Sequence, residues 1–408
     1  MSNNTLLDRC RVCSNYDVDT FVGIKCEDGD ICVNFPLGYN ISSDEKEIRK
    51  DILLLISTIA SSTARKDSEL YNTNDIFTDV SFPIKAYIDV IYDYYARGYY
   101  VEREVNYSVS KKGKINWNRT IKTQKPLIQD GEAYYLDYVV RKNEINDNQL
   151  ITLIHGYCVY ESFDKIGWLF SSFMPSKPRI KFNKKLFKDV VMKKLLHTFN
   201  DKNKRLFKNM LAIIEKQGNE SEKDFFYGTY RFEYVWEYLI DRVYGVTNKN
   251  EYFPKTTWTL DGNEYDNASL EPDTIMIWNN NIYVLDAKYY KYGATKKTWD
   301  LPNSTSINKQ ITYGEYIANN EDYKKIHGED YSVYNAFIMP YDKNSDLWNS
   351  RENIDKIGEA TSSWKSNNKS YEKIQGIVVD VKHLMRITAR QDEDEILQLA
   401  KCIEEAQR

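Results

Sequence analysis

The stretch "EPDTIMIWNNNIYVLDAKYY" (271–290) decides how this chain is read. Two short apolar runs rich in Ile, Val, Leu and Tyr flank an Asn-rich centre, the pattern of two core strands joined by a turn. Yet Asp273, Asp286 and Lys288 sit in and beside those strands. Asp286 and Lys288, two residues apart, project from one face of a strand. Asn tolerates positive φ, so a two-residue Asn-Asn turn of type I′ sets Asp273 opposite either Asp286 or Lys288, on that same face. A three-residue loop without a bulge sends Asp273 to the other face instead. Two carboxylates brought together on a strand pair repel unless a cation lies between them. The pattern therefore points to a hard-metal site. Mg²⁺ takes one or two carboxylates plus water and phosphate oxygens, and Lys288 adds positive charge for a nucleophile or for charge developing on a phosphoryl group.

By itself an Asp-x-Lys tripeptide is more often a solvent-facing strand end with a salt bridge, so the surroundings carry weight. Upstream, "RFEYVWEYLIDRVYG" puts Glu233 and Glu237 one turn apart on a helix that otherwise presents Phe232, Val235, Trp236, Leu239 and Ile240. A carboxylate there adds a metal or water ligand. Downstream, "KQITYGEYIA" places Gln310, Tyr313 and Tyr316 at i, i+3 and i+6 of a helix, able to reach a phosphate or Lys288.

The 408-residue chain is long enough for two or three cores, and 42% apolar residues with 33 Tyr, 16 Phe and 8 Trp exclude a disordered chain. No apolar run approaches the ~18–20 residues of a membrane span, and "MSNNTLLDRCRVC" is no signal peptide. A cytoplasmic protein with no membrane partner is the expectation. The net charge of −4 gives no global reason for a nucleic-acid ligand, so that reading rests on local islands. "SVSKKGKINWNRTIKTQKP" (108–126) has six Lys or Arg and no acid, and "RIKFNKKLFKDVVMKKLLHTFNDKNKR" (179–205) carries only two Asp. Cys10, Cys13, Cys26 and Cys32 invite a zinc reading, but an Asp-Gly turn between Cys26 and Cys32 places those two on facing hairpin strands, which favours buried reduced thiols.

Along the chain, "FVGIKCEDGDICVNFPLGY" (21–39) reads as a hairpin, and a Ser42/Glu45 capping box opens a helix. A second helix spans 82–100 between Pro83 and Gly98, and strands and hairpins run to about Arg141. Helices dominate from about Glu144 to Lys216, and the polar stretch "KQGNESEKD" (216–224) reads as a boundary. After it, helix, two strands, helix and two strands succeed one another, with a closing helix. The predicted domains are an α+β N-terminal module with a basic hairpin arm (1–142), a helical connecting region (143–216) and a C-terminal α/β domain with a mixed central sheet (217–408).

The order helix-Glu, Pro-Asp, Asp-x-Lys, helix-Gln over about residues 225–385 resembles the PD-(D/E)xK nuclease superfamily. The resemblance makes Glu233 the helix acid, Asp273 the Asp of "PD", Asp286 and Lys288 the "DxK", and the C-terminal domain restriction-endonuclease-like. "KKGKINWNRTIK" (111–122), "YYVEREVNYSVS" and the early hairpin resemble the LlaJI-type restriction endonucleases, relatives of the McrC subunit of McrBC systems. Those proteins join an N-terminal module to a PD-(D/E)xK domain and work with a separate McrB-like AAA+ GTPase. On its own chemistry, the basic loop offers Lys111, Lys112, Lys114, Arg119 and Lys122 to phosphates, Trp117 for stacking, and Asn116 and Asn118 as donors; docking to a partner protein is the competing use. No G-x-x-x-x-G-K-[ST] occurs, so no nucleotide is expected on this chain.

The expectation is a restriction (phage-defence) endonuclease subunit that hydrolyses DNA with Mg²⁺, or Mn²⁺ in its place. Asp273, Asp286 and Glu233 hold metal, Lys288 and Gln310 assist, a GTPase activates, and two nuclease domains pair during double-strand cleavage. The alternatives are a non-catalytic adaptor that keeps the nuclease fold, and a self-sufficient homodimeric type II enzyme.

Overall fold

The computed structural model describes residues 5–16, 18–66, 78–79, 82–145, 149–217, 224–267, 269–328, 331–388 and 392–405. Two compact units emerge: Met1–Ser81 together with Lys223–Arg408, and Phe82–Glu222. The first unit begins with β1 (Cys10–Val12), β2 (Val22–Glu27), β3 (Asp30–Phe35), α1 (Glu45–Lys66) and β4 (Thr78–Asp79). Asp28 and Gly29, at φ 53° and 88°, close the β2–β3 hairpin, which sets Lys25 opposite Cys32 and Cys26 opposite Ile31. Asp44, rather than Ser42, caps α1, accepting from the Lys46 and Glu47 amides at 3.0 and 3.1 Å. Ser42 is drawn away because its hydroxyl donates to Asp51 at 2.9 Å. Asp51 is buried and takes the Lys382 ammonium at 2.7 Å, as a buried charge requires.

The second unit contains α2 (Ile84–Arg97), β5 (Arg103–Ser110), β6 (Lys114–Ile115), α3 (Trp117–Thr123), β7 (Leu127–Gln129), β8 (Glu132–Tyr134), β9 (Tyr138–Ile145), α4 (Leu150–Ile166), α5 (Lys184–Leu196) and α6 (Asp201–Lys216). Pro83 and Gly98, the latter at φ 73°, bound α2 as the sequence predicts. Strand β9 lies between β5 and β6 in an antiparallel sheet, and β7 pairs with β8 alone. Phe163, Phe187, Phe207 and Met210 fill the core among the helices.

The chain then re-enters the first unit with β10 (Phe225–Thr229), α7 (Phe232–Tyr244), β11 (Thr257–Leu260), β12 (Asn263–Asp266), β13 (Thr274–Trp278), β14 (Asn281–Ala287), α8 (Tyr292–Thr295), α9 (Ser304–Asn319), α10 (Glu321–His327), β15 (Val333–Tyr341), β16 (Ile354–Ala360), β17 (Ile374–Asp380), α11 (Val381–Ile387) and α12 (Glu393–Glu405). Strand β10 runs antiparallel between β2 and β4, completing the order β1-β3-β2-β10-β4. Gly23 and Gly228 face each other there, and a Cβ on Gly228 would lie 2.3 Å from the Val22 carbonyl oxygen, so the crossing needs both glycines.

The sequence reading set boundaries at 142 and 216, and the compact units of the structure divide the chain after Ser81 and after Glu222. Residues 1–81 belong with the C-terminal part, and 82–222 form the intervening unit. Strand pairing across that sequence distance leaves no local pattern to read. Most of the expected boundary stretch 216–224 lies outside the described residues.

The second sheet has the order β13-β14-β15-β17-β16. Its β14, β15 and β17 are parallel, and β13 and β16 are antiparallel edges, a mixed sheet as expected. One face packs Ile275, Ile282 and Val284 against Tyr313 and Ile317 of α9. The Trp236 indole of α7 donates to the Ile338 carbonyl at 3.1 Å and fixes that helix on the sheet. Among the described residues no helix is long and apolar enough to cross a membrane.

Candidate active site

Asn279 and Asn280 take φ 46° and 67°, the type I′ turn that Asn permits. The resulting register pairs Thr274 with Leu285 and Ile275 with Val284, which sets Asp273 opposite Asp286 just beyond the last pair. Alternation then gives one face the series Asp273, Ile275, Ile277 on one strand and Ile282, Val284, Asp286, Lys288 on the other. The apolar members lie under α9. The charged members lie past them, at the carboxyl end of β14, the end of a parallel sheet where ligands bind.

Asp286 is 7% exposed and takes the Lys288 ammonium at 2.9 Å. Asp273 accepts the Ala287 amide at 2.9 Å. Burial first, then the charge of Asp286 and a hydrogen bond to it, then Glu237, hold the Asp273 carboxyl well above the ordinary Asp range, with the Ala287 amide opposing. Burial pulls the Lys288 ammonium down, but Asp286 and then Asp273 outweigh it, so Lys288 titrates above the ordinary Lys range and is cationic at neutral pH. The backbone is pinned as well: the Asp273 carbonyl accepts from Lys249 at 2.7 Å, and the Glu271 carbonyl from the Tyr313 hydroxyl at 3.2 Å.

The remaining expected residues are distributed around this core. Glu233 pairs with the Arg231 guanidinium at 2.8 Å, and it is Glu237, one turn further along α7, whose charge acts on Asp273. Gln310 is fully buried and donates to the Val284 carbonyl at 2.7 Å, which fastens α9 to β14 two residues before Asp286. Its neighbour Lys309, which the sequence pattern did not single out, is exposed, and the signal for it was its i, i+4 spacing to Tyr313.

Among the described residues no three His, Cys, Asp or Glu groups form a ready cage for a metal. Mg²⁺ does not require one. It keeps several waters and binds through one or two carboxylates plus substrate phosphate oxygens, and two opposed carboxylates are a hard-oxygen donor set. The residues fit a divalent ion held by Asp273 and Asp286. Because Asp273 titrates higher folded than unfolded, the metal-free protein loses stability as pH rises from about 4 through the raised value. Asp273→Asn is therefore expected to raise the melting temperature in EDTA at neutral pH by about 2 °C, about 1 kcal/mol of relieved repulsion. The gain should vanish near pH 4, and added Mg²⁺ should stabilise the wild type more than the variant. Differential scanning calorimetry checks this; a clear fall in the EDTA melting temperature would make Asp273 a structural anchor.

Within the first basic island Lys111 and Lys112 lie in the turn after β5, Lys114 is on β6, and Arg119 and Lys122 are on the short helix α3. Asn116 caps α3, accepting the Arg119 amide at 3.1 Å, so its carbonyl is committed to the backbone. The Arg119 guanidinium stacks 3.8 Å above the Tyr107 ring, and Trp117 is 53% exposed with its ring edge-on to Tyr138 at 5.7 Å. Lys111, Lys112, Lys114 and Lys122 are exposed. The second island is partly neutralised within its unit, through Lys188–Glu215 at 2.8 Å, Lys194–Glu102 at 2.6 Å and Arg205–Asp89 at 2.7 Å.

Residues 21–357 match the LlaJI restriction endonuclease family, and the chain belongs to that family. A curated relative, the type II restriction enzyme BsuMI component YdjA of Bacillus subtilis (strain 168), is 27% identical over 267 residues, 60% of this chain. The match spans 55% of that relative's length. A solved chain from an assembly of Thermococcus gammatolerans McrB AAA+ hexamers with bound McrC is 14% identical, with 93% of this chain and 83% of that one covered at a TM-score of 0.38.

Proposed function

We propose that this chain is the DNA-cleaving subunit of a restriction system that defends against phage, a Mg²⁺-dependent endonuclease with a PD-(D/E)xK site, for which Mn²⁺ also serves. The observation that carries the reading is the opposition of Asp273 and Asp286 at the carboxyl end of β14, with Lys288 paired to Asp286 at 2.9 Å. Membership of a restriction endonuclease family supports it. Asp273 and Asp286 would hold the ion, with Glu237 the helix acid whose charge acts on Asp273; bound there, the ion would supply Lewis-acid stabilisation and a more acidic water. Lys288, cationic at neutral pH, orients the attacking water and balances charge developing on the phosphoryl oxygens. In the reaction a water oxygen bonds to phosphorus, a P–O ester bond breaks, and the water's proton leaves to solvent or to the departing oxygen. The pinned Asp273 and Glu271 carbonyls keep the carboxylates placed before substrate arrives. The test is cleavage of plasmid DNA by purified protein with Mg²⁺, Mn²⁺ or EDTA; no cleavage with either metal, with or without a GTPase partner, would leave an adaptor that keeps the fold.

The exposed cations Lys111, Lys112, Lys114 and Lys122, with Arg119, bind DNA phosphates in this reading. Neutralising two of them is expected to flatten the slope of log K against log salt by about 0.9 for each duplex phosphate no longer paired with a cation, measured by fluorescence anisotropy. An unmoved slope together with failed binding to an AAA+ GTPase would make the arm a protein-docking element. Such a GTPase, McrB-like, is the proposed activating partner. The curated relative is itself named a component of its enzyme.

A further inference from the structure

Lys309 sits where the hydrophobic packing of α9 ends and the charged end of the hairpin begins. Its neighbours on the helix point inward. Gln310 donates to the Val284 carbonyl, two residues before Asp286, and Tyr313 donates to the Glu271 carbonyl, two residues before Asp273. Those two bonds fix α9 in rotation and height over the sheet face that carries both acids. Lys309, one residue before Gln310 and one turn before Tyr313, is thereby left exposed at the rim, with its nitrogen 5.5 Å from the Tyr313 ring centroid. The Tyr313 hydroxyl first, and against burial, with the charges of Asp286 and Asp273 after it, holds the Lys309 ammonium above the ordinary Lys range.

The charge balance assigns it a use. Lys288 is already paired to Asp286 at 2.9 Å, which leaves the exposed Lys309 ammonium, held at the buried Tyr313, for an anion. We propose that Lys309, oriented by Tyr313, is a second phosphate-binding cation of this site and takes a backbone phosphate of the bound DNA strand. The proposal deepens the nuclease reading and rests on it. A lysine on a fixed helix would set the strand's position relative to Lys288, a role distinct from that of the cations between Lys111 and Lys122.

The deciding measurement is DNA affinity of the full chain in EDTA, where no cleavage occurs, as a function of salt. Lys309→Gln is expected to lower the slope of log K against log salt by about 0.9 on duplex DNA, Lys309→Arg to leave it unchanged, and both to keep the wild-type melting temperature. Tyr313→Phe, which removes only a hydroxyl, should weaken binding in the same direction by a smaller amount. With Mg²⁺ the same Lys309→Gln variant should cleave about 10-fold more slowly, again with recovery in Lys309→Arg. An unchanged slope in Lys309→Gln overturns the proposal, whatever the cleavage rate. So does a slope unchanged with a lowered EDTA melting temperature, which would make Lys309 a structural screen for the acids, and so does a wild-type chain with no measurable affinity at low salt. Failure of the nuclease reading is seen separately, as absence of metal-dependent cleavage by the wild type.

Discussion

Asp286→Ala is expected to cut plasmid DNA about 10³-fold more slowly than wild type with saturating Mg²⁺, and Lys288→Ala about 10²-fold more slowly, with folding and metal-free DNA binding kept. Losing an ion's placement removes several kcal/mol of transition-state stabilisation, and each 1.4 kcal/mol is about tenfold in rate. The smaller effect of Lys288 follows from its task, which is charge balance and water orientation rather than metal binding. Asp286→Ala also leaves the buried end of the Lys288 side chain without its partner at 2.9 Å, so Asp286→Asn belongs beside it as the isosteric control. Near wild-type cleavage by either alanine variant would remove the hairpin from the chemistry.

The second large effect concerns division of labour. The isolated chain is expected to cleave poorly or without sequence preference, and an McrB-like GTPase with GTP to raise specific cleavage by about 10²-fold or more. A single nuclease site cuts one strand, so two must be brought to one place, and holding reacting groups together is worth orders of magnitude in effective concentration. Plasmid assays with the protein alone, with partner, with partner plus GTP and with a non-hydrolysable analogue separate assembly from GTP turnover. Efficient site-specific linearisation by the chain alone with Mg²⁺ would show a self-sufficient enzyme and leave the Asp273/Asp286/Lys288 chemistry standing.

How far these features are legible in the sequence depends on the range of the interaction that sets them. Two Asn residues suffice to place Asp273 against Asp286, because a type I′ turn fixes register locally. Pro83 and Gly98 bound α2 for equally local reasons. Ser42 failed as a cap because a buried carboxylate, Asp51, competed for its hydroxyl. Glu233 and Glu237 share a helix face, and which of them acts on Asp273 is set by how far along the sheet α7 is seated, a consequence of Trp236 reaching the Ile338 carbonyl. Gln310 is turned onto the Val284 carbonyl and Lys309 to the surface by the rotation of α9, which its bonds to β14 and Glu271 decide. Those are tertiary facts, and periodicity carries no trace of them.

The place of β10 bears on how the protein is made. Hairpin β2–β3 leaves the ribosome early, but β2 acquires its other neighbour only when residues 225–229 have been synthesised. Until then that strand presents an unpaired edge, open to other chains. The intervening unit, whose pairings are internal, can fold while the first strands wait. The strands that flank it in sequence, β4 and β10, are adjacent, with Thr78 opposite Thr229. A folded insert with neighbouring ends lowers the loop-closure cost of the sheet that brackets it. Destabilising substitutions in the helices α2, α4 and α6 are thus expected to reach the first unit as aggregation during synthesis, while chains already folded keep whatever cleavage the wild type shows.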